Sequence, residues 1–363
     1  MNSKTIEKRF NLIRMLAAVV LALGLALLMI AFISKEPLVA MKHFLLGPLD
    51  GMRKFWNVVE LAIPLTFTGL AVSIIFSADM ANMSGEGAFY MSCAIASWCA
   101  INLKLPPVLH ILVCLLAGTI TGMIITGIPA VLKVKWDANE LVSSLMLNYI
   151  CLYMANYIIR AKIGDTSLGI TASKRFLPTA SLPNIIPGSR IHLGIVFIGV
   201  LVIFGWFMLY RSRLGYRIRI TGKNSEFAKS VGISVGTTIM ASQLIGGGIA
   251  GFGGATEMLG MYNRFQYQGL PGYGFDGLII AILARYNPAF VPIAAFFLAY
   301  LKTGASIMNR LSDVPLEIVS IIQAIVIVLV VATKFGDKIK HRAIVKSAQG
   351  ELEKGATNIG ENS

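Results

Sequence analysis

The chain is built from apolar runs separated by short polar segments. Ten runs approach or exceed the roughly 20 apolar residues that a helix needs to cross a bilayer. They are Met15–Ile33, Leu61–Ala78, Ser84–Ile101, Pro107–Val131, Leu141–Ile159, Leu193–Tyr210, Gly236–Thr256, Gly272–Ala284, Ala289–Leu301 and Leu316–Thr333. The eighth and ninth are short, which predicts tilted, broken or re-entrant elements. A transmembrane barrel would show ten-residue alternating segments instead. The pattern therefore predicts an all-α, polytopic helical membrane protein of about ten transmembrane helices. An even count puts the N- and C-termini on the same side.

Charges flanking the runs predict which side that is. Lys4–Arg14 carries four positive charges and one negative, ahead of 19 uncharged residues. This resembles a signal peptide, but the run is long for one and only Ser34-Lys35-Glu36-Pro37 follows it, so it reads as a retained first span. The loop Arg211–Lys229 holds six positive charges against Glu226, and Lys334, Lys338, Lys340, Arg342 and Lys346 follow the last run. The positive-inside rule places both in the cytoplasm, with the termini. The expected organisation is a basic cytoplasmic segment over 1–14, a membrane domain over 15–333 and a polar, disordered cytoplasmic tail over 334–363. Within the membrane domain, 211–235 is an inside loop and 160–191 an outside loop. The outside loop breaks the charge rule with Arg160, Lys162, Lys174, Arg175 and Arg190 against Asp165, and reads either as a docking surface or as a solvated loop.

Composition narrows the function classes. Hydrophobic residues make up 56% and charged residues 14%, against about 25% charged in soluble domains. That excludes an ordinary soluble enzyme. The net charge of +14 is explained by cytoplasmic loops and calls for no nucleic acid. Cys93, Cys99, Cys114 and Cys151 all lie in apolar stretches without a CxxC pair, and His43, His110, His192 and His341 form no HExxH. No metal site, catalytic residue or cofactor is expected. Gly246, Gly248 and Gly251 match GxGxxG inside an apolar run, where close helix packing through Gly247 and Gly251 explains them better than a dinucleotide. Gly222-Lys223 lacks the rest of a phosphate-binding loop, so no ATPase site is expected in this chain.

Three segments carry more. Asn82-Met83-Ser84-Gly85-Glu86-Gly87-Ala88-Phe89 puts a carboxylate at the edge of an apolar run, where it must face a cavity or a partner. Alternatively, Glu86 sits in the first turn of a helix. Gly272-Tyr273-Gly274-Phe275-Asp276-Gly277 repeats the arrangement in the other half of the chain, as in transporters with a midplane site, or else forms a turn capped by Asp276. The third is GYRIRITGKNSEFAKSVGISV, from Gly215 to Val235. There Asn224 can cap a short helix, Glu226 and Lys229 suit its dipole, and Gly232 can end it.

Glu226-Phe227-Ala228-x-x-x-Gly232 resembles the EAA-xxx-G loop of ABC-transporter permeases. Asn82–Phe89 resembles the N-I-G-x-E-G-Q motif of the ribose/branched-chain amino-acid type permeases, in the branch that imports nucleosides and simple sugars; Met83, Ser84 and Ala88 depart from it. Asn139-Glu140-Leu141 with Met146-Leu147-Asn148-Tyr149 is similar to that branch's N-E-V…M-L-N-Y segment. Residues 272–287, GYGFDGLIIAILARYN, are similar to its G-Y-G-F-D-G-I-A-V-A-L-L-G-R segment. The resemblance implies a multi-pass subunit of an importer in the cytoplasmic membrane, paired with a second, different permease. A cytoplasmic ATPase subunit and a substrate-binding lipoprotein complete it. It implies that Asn224, Glu226, Ala228 and Gly232 form the element that meets the ATPase. In the substrate path, Asn82, Glu86, Asn148 and Asp276 would meet solute hydroxyls, and Phe89 or Tyr149 would stack on a base. Lys174 and Arg175 would help dock the lipoprotein. Other readings are a simple sugar or another small polar solute, or an ion-coupled secondary transporter using Glu86 and Asp276.

Overall fold

The computed structural model describes residues 24–315, apart from 26, 33, 166, 168 and 170, together with 321 and 324. The tail over 334–363 lies outside the described residues, as do most of the runs Met15–Ile33 and Leu316–Thr333. Among the described residues the fold is all-α, and the extended pairings are two isolated bridges, Gly164–Ser173 and Asn184–His192. The helices are α1 Pro37–Leu45, α2 Met52–Phe76, α3 Gly85–Asn102, α4 Pro107–Trp136, α5 Glu140–Ile158, α6 Gly194–Arg211, α7 Arg213–Lys223, α8 Ser225–Ser230, α9 Val235–Met261, α10 Tyr273–Leu283 and α11 Val291–Leu311. Six helical stretches among the described residues are long and apolar enough to cross a membrane.

Several boundaries move relative to the sequence reading. α2 starts nine positions before Leu61, and α11 runs ten positions past Leu301, so the ninth run is a full-length helix. The basic loop after α6 is itself helical, as α7 followed by α8. Ser212 starts α7 by accepting from the Gly215 N–H at 3.0 Å.

Pro48–Thr303 forms one compact unit, and the described parts of Met1–Gly47 and Gly304–Ser363 form a second. In the second, Asp313 accepts from the Ser34 hydroxyl at 2.6 Å and the Lys35 N–H at 2.7 Å. In the first, α9 is the central element and packs on α4, α3 and α2. The apolar stretch of α2 is 83% buried, against 28% in α4 and in α6, so α2 lies inside while α4 and α6 turn apolar faces outward.

α9 contains eight glycines, each costing about 1 kcal/mol in a water-exposed helix. In an apolar bundle the backbone has no water to bond instead, so the helix holds. The glycines let α9 touch α4 backbone to backbone. A Cβ on Gly122 would lie 2.1 Å from the Gly247 carbonyl oxygen, and one on Gly251 would lie 2.2 Å from the Gly118 carbonyl oxygen. Thr126 adds a hydroxyl bond to the Gln243 carbonyl at 2.9 Å.

Replacing Gly122 with Leu is expected to destabilise the protein by about 2 kcal/mol or more, read as a lower thermal midpoint in detergent. Gly199→Ala on α6, where nothing lies within 4 Å of the added Cβ, should leave the midpoint unchanged; equal midpoints for the two variants would contradict the packing account.

Candidate functional site

α10 has eleven residues, about 16 Å of helix and about half the hydrocarbon thickness. Its N-terminus opens inside the bundle and has no cap from its own segment; Gly272, at φ +83°, precedes it. The cap comes from α3. The two Glu86 carboxylate oxygens accept the backbone N–H groups of Gly272, at 2.6 Å, and of Gly274. This satisfies donors left open at a helix start and sets a negative group at the positive end of the dipole. Gly274 is required for the approach, because a Cβ there would lie 2.4 Å from the Glu86 nitrogen.

The start of α3 is capped by a neighbour in turn. Asn148 of α5 accepts the Gly87 N–H at 2.8 Å and donates to the Met83 carbonyl at 3.0 Å. Asn82 sits in the irregular segment before α3. It donates to the Thr126 carbonyl at 3.1 Å and to Gln243 Oε1 at 3.0 Å, and accepts from the N–H and hydroxyl of Ser84. All three side chains are buried. Their polar atoms therefore hold the two helix starts in place.

Asp276, in the first turn of α10, forms an ion pair with Lys302 of α11. The sequence reading missed Lys302, because a lysine after Leu301 looked like the membrane boundary. The signal was available: a buried aspartate needs a counter-charge, and one lysine lies inside α11. Phe89 is fully buried, with its ring edge-on to Tyr273 at 5.4 Å. So the structure gathers Asn82, Glu86, Phe89, Asn148 and Asp276 around the starts of α3 and α10. Tyr149 stands apart, 55% exposed on the outer face of α5 with Tyr153 and Tyr157.

Lys174 and Arg175 are exposed on a loop pinned from below. The N–H groups of Ser173 and Phe176 donate to the carbonyls of Phe265 and Asn263 at 3.0 and 2.9 Å. In the same loop, the hydroxyl and N–H of Ser167 hold the Asp165 carboxyl below the usual carboxylate range. At α8, Asn224 accepts the Phe227 N–H at 3.0 Å, Glu226 pairs with Lys229 at 2.8 Å, and Gly232 is left-handed at φ +80°. Ala228 is buried, while Phe227 is exposed. Among the described residues, no group of three or more His, Cys, Asp or Glu side chains is placed to share a metal ion.

The sequence profile of the family described as branched-chain amino acid transport system / permease component matches residues 55–331. The chain belongs to this family. The permease is therefore an integral, multi-pass membrane protein. It is similar to a glucose ABC transporter permease protein of Haloferax volcanii, 32% identical over 77% of this chain and 76% of the relative. It is similar to a guanosine ABC transporter permease protein of Bacillus subtilis, 33% identical over 81% of this chain and 83% of the relative. A nucleoside ABC transporter permease protein of Lactococcus lactis is 25% identical over 98% of this chain and 99% of its own.

In the permease, Lys302→Met alone should cost about 3 kcal/mol, because it strands the buried Asp276 carboxylate. Lys302→Met with Asp276→Asn should recover most of that loss. Thermal midpoints of the purified single and double variants check this, and additive losses would contradict it.

Proposed function

We propose that this chain is the transmembrane permease subunit of an ATP-binding cassette importer that carries nucleosides across the cytoplasmic membrane. The observation that carries this reading is the similarity to the guanosine permease, 33% identical over 81% of the chain. The chain makes and breaks no bond in the solute. It has no ATPase site of its own, and a cytoplasmic ATPase subunit supplies the energy. A substrate-binding lipoprotein delivers solute outside, with Lys174 and Arg175 in its docking surface.

The loop 211–235, with α7 and α8, is the element that meets the ATPase. Asn224 and Gly232 fix the two ends of α8, Ala228 seats it, and Glu226 and exposed Phe227 meet the partner. α7 is wedged against the end of α2, since a Cβ on Gly222 would lie 2.1 Å from the Ser77 carbonyl oxygen. A push on α8 therefore reaches α2. From the bundle interior it travels through side chains that bridge elements: Asn148 to α3, Glu86 to α10, and Asp276 to Lys302. Different contacts in two arrangements of this chain of links couple the two faces.

The face of α5 with Tyr149, Tyr153 and Tyr157 supports a path shared with a second, different permease. Three phenols on a spanning helix would be poorly accommodated in hydrocarbon without hydrogen-bond partners. Against a water-filled path they offer hydroxyls to ribose and faces to a base. Asn82, Glu86, Asn148 and Asp276, with Phe89, lie buried behind that face and fix the helix starts that shape the path. The similarity to the glucose permease favours a second reading, a simple sugar as solute. Uptake of labelled guanosine by proteoliposomes with all subunits, in competition with unlabelled glucose, separates the two. Guanosine uptake driven by ATP and indifferent to glucose is the expected result; uptake without the ATPase would sink the importer reading.

Glu226→Arg and Gly232→Val should each lower uptake at least about tenfold while ATP hydrolysis continues and membrane insertion is normal. Lys174→Glu with Arg175→Glu should weaken lipoprotein binding by about 1 kcal/mol or more, with a reduced salt dependence.

A further inference from the structure

A cavity of about 670 Å³ opens beneath α7, beside the contact of Gly222 with Ser77 at the end of α2. Its size suits a small-molecule site. Its wall carries three cationic side chains, Arg219, Lys223 and Arg285, from two separate elements. Two acids, Asp79 and Glu140, also line it, but Glu140 is engaged by Lys133 at 3.3 Å. Among the described residues, none of the three cations forms an ion pair. The Nε of Arg219 is buried without an acceptor. Its guanidinium lies over the Tyr210 ring at 5.0 Å, which holds it towards the wall.

The other wall is aromatic and held in an unusual backbone shape. Phe76 and Tyr286 lie parallel, 6.1 Å apart and 9° from coplanar. Among the described residues, four non-glycine residues have left-handed φ, and three of them line this cavity: Asp79 at 57°, Arg285 at 53° and Tyr286 at 56°. Such conformations persist only where surrounding structure enforces them, and they cluster at sites that bind or switch.

We propose that this cavity binds a small phosphorylated molecule with a planar ring, of the class of a nucleoside monophosphate. Phosphate oxygens accept from Arg219, Lys223 and Arg285, a guanidinium-rich set suited to that group, and the ring stacks on Tyr286. The ligand ties α7 to the end of α2 and to the turn after α10. Since α7 runs directly into α8, an occupied cavity restrains the element proposed to meet the ATPase and lowers transport. That regulatory role, and the cytoplasmic position of the cavity, rest on the importer reading. A phosphotransfer reaction acting on the imported nucleoside supplies the ligand.

The test is equilibrium binding to the purified full-length permease in detergent, without ATPase. The probes are guanosine monophosphate, guanosine, inorganic phosphate and dihexanoyl phosphatidylglycerol. Guanosine monophosphate should bind at least about tenfold more tightly than any of the other three. Lys223→Gln and Arg285→Gly should each weaken it about tenfold. Arg285→Gly should also keep or raise the thermal midpoint, because glycine relieves the left-handed backbone. Should either variant fail to fold, amine labelling of Lys223 in the unaltered protein replaces it, with about fivefold protection expected from guanosine monophosphate. Equal binding of phosphate alone, equal competition by the lipid, unchanged affinity in folded variants or absent protection overturns the proposal. None of these readouts involves ATP hydrolysis or uptake, so their failure is distinct from failure of the importer reading.

Discussion

The start of a helix leaves backbone N–H groups without partners, and inside an apolar bundle no water can serve them. At α10 the Glu86 carboxylate takes that place, accepting from Gly272 and Gly274. An unmet buried donor costs about 1–3 kcal/mol, so a helix starting within the bundle needs such a partner. The surrounding architecture makes the partner reachable. Gly274 lacks a side chain at the point of contact, Gly272 takes a left-handed φ, and α3 begins beside α10.

The same solution recurs one step away. Asn148 serves the start of α3, so α5, α3 and α10 are joined by side chains bonded to another helix's backbone. Asp276 and Lys302 extend the series to α11. Such links differ from packing contacts in one respect. They are directional and few, so each can be made or broken as a unit. The glycine-lined contact of α9 with α4 is the opposite kind, backbone on backbone with no room for a side chain between them. Close helix pairs thus stand beside helix starts held by single side chains.

The loop over 160–191 and the basic helices show how surface features depend on what lies beneath. Lys174 and Arg175 are presented by a loop whose backbone is bonded to 263–265. α7 and α8 are presented by contact with the end of α2 and by caps at Ser212 and Asn224. In both places the exposed charges sit on a shape that the interior holds.

Much of this was written in the chain. A bilayer tolerates few backbone solutions, so long apolar runs with sparse charge specified an all-α membrane protein and most of its helices. Asn224, Glu226 and Gly232 marked α8, since capping is local chemistry. The starts of α3 and α10 were visible as glycine-flanked acids. Their partners were not. Periodicity and caps describe neighbours in sequence, whereas Glu86 meets residues 186 and 188 positions away. Lys302 was hidden because a charge near the end of an apolar run reads as a boundary until its counter-ion is located. The cavity under α7 is assembled from four stretches of chain, and only folding brings them together. Local propensity and solvent exclusion set which segments became helices; long-range hydrogen bonds and close glycine contacts decided which helix ends face one another.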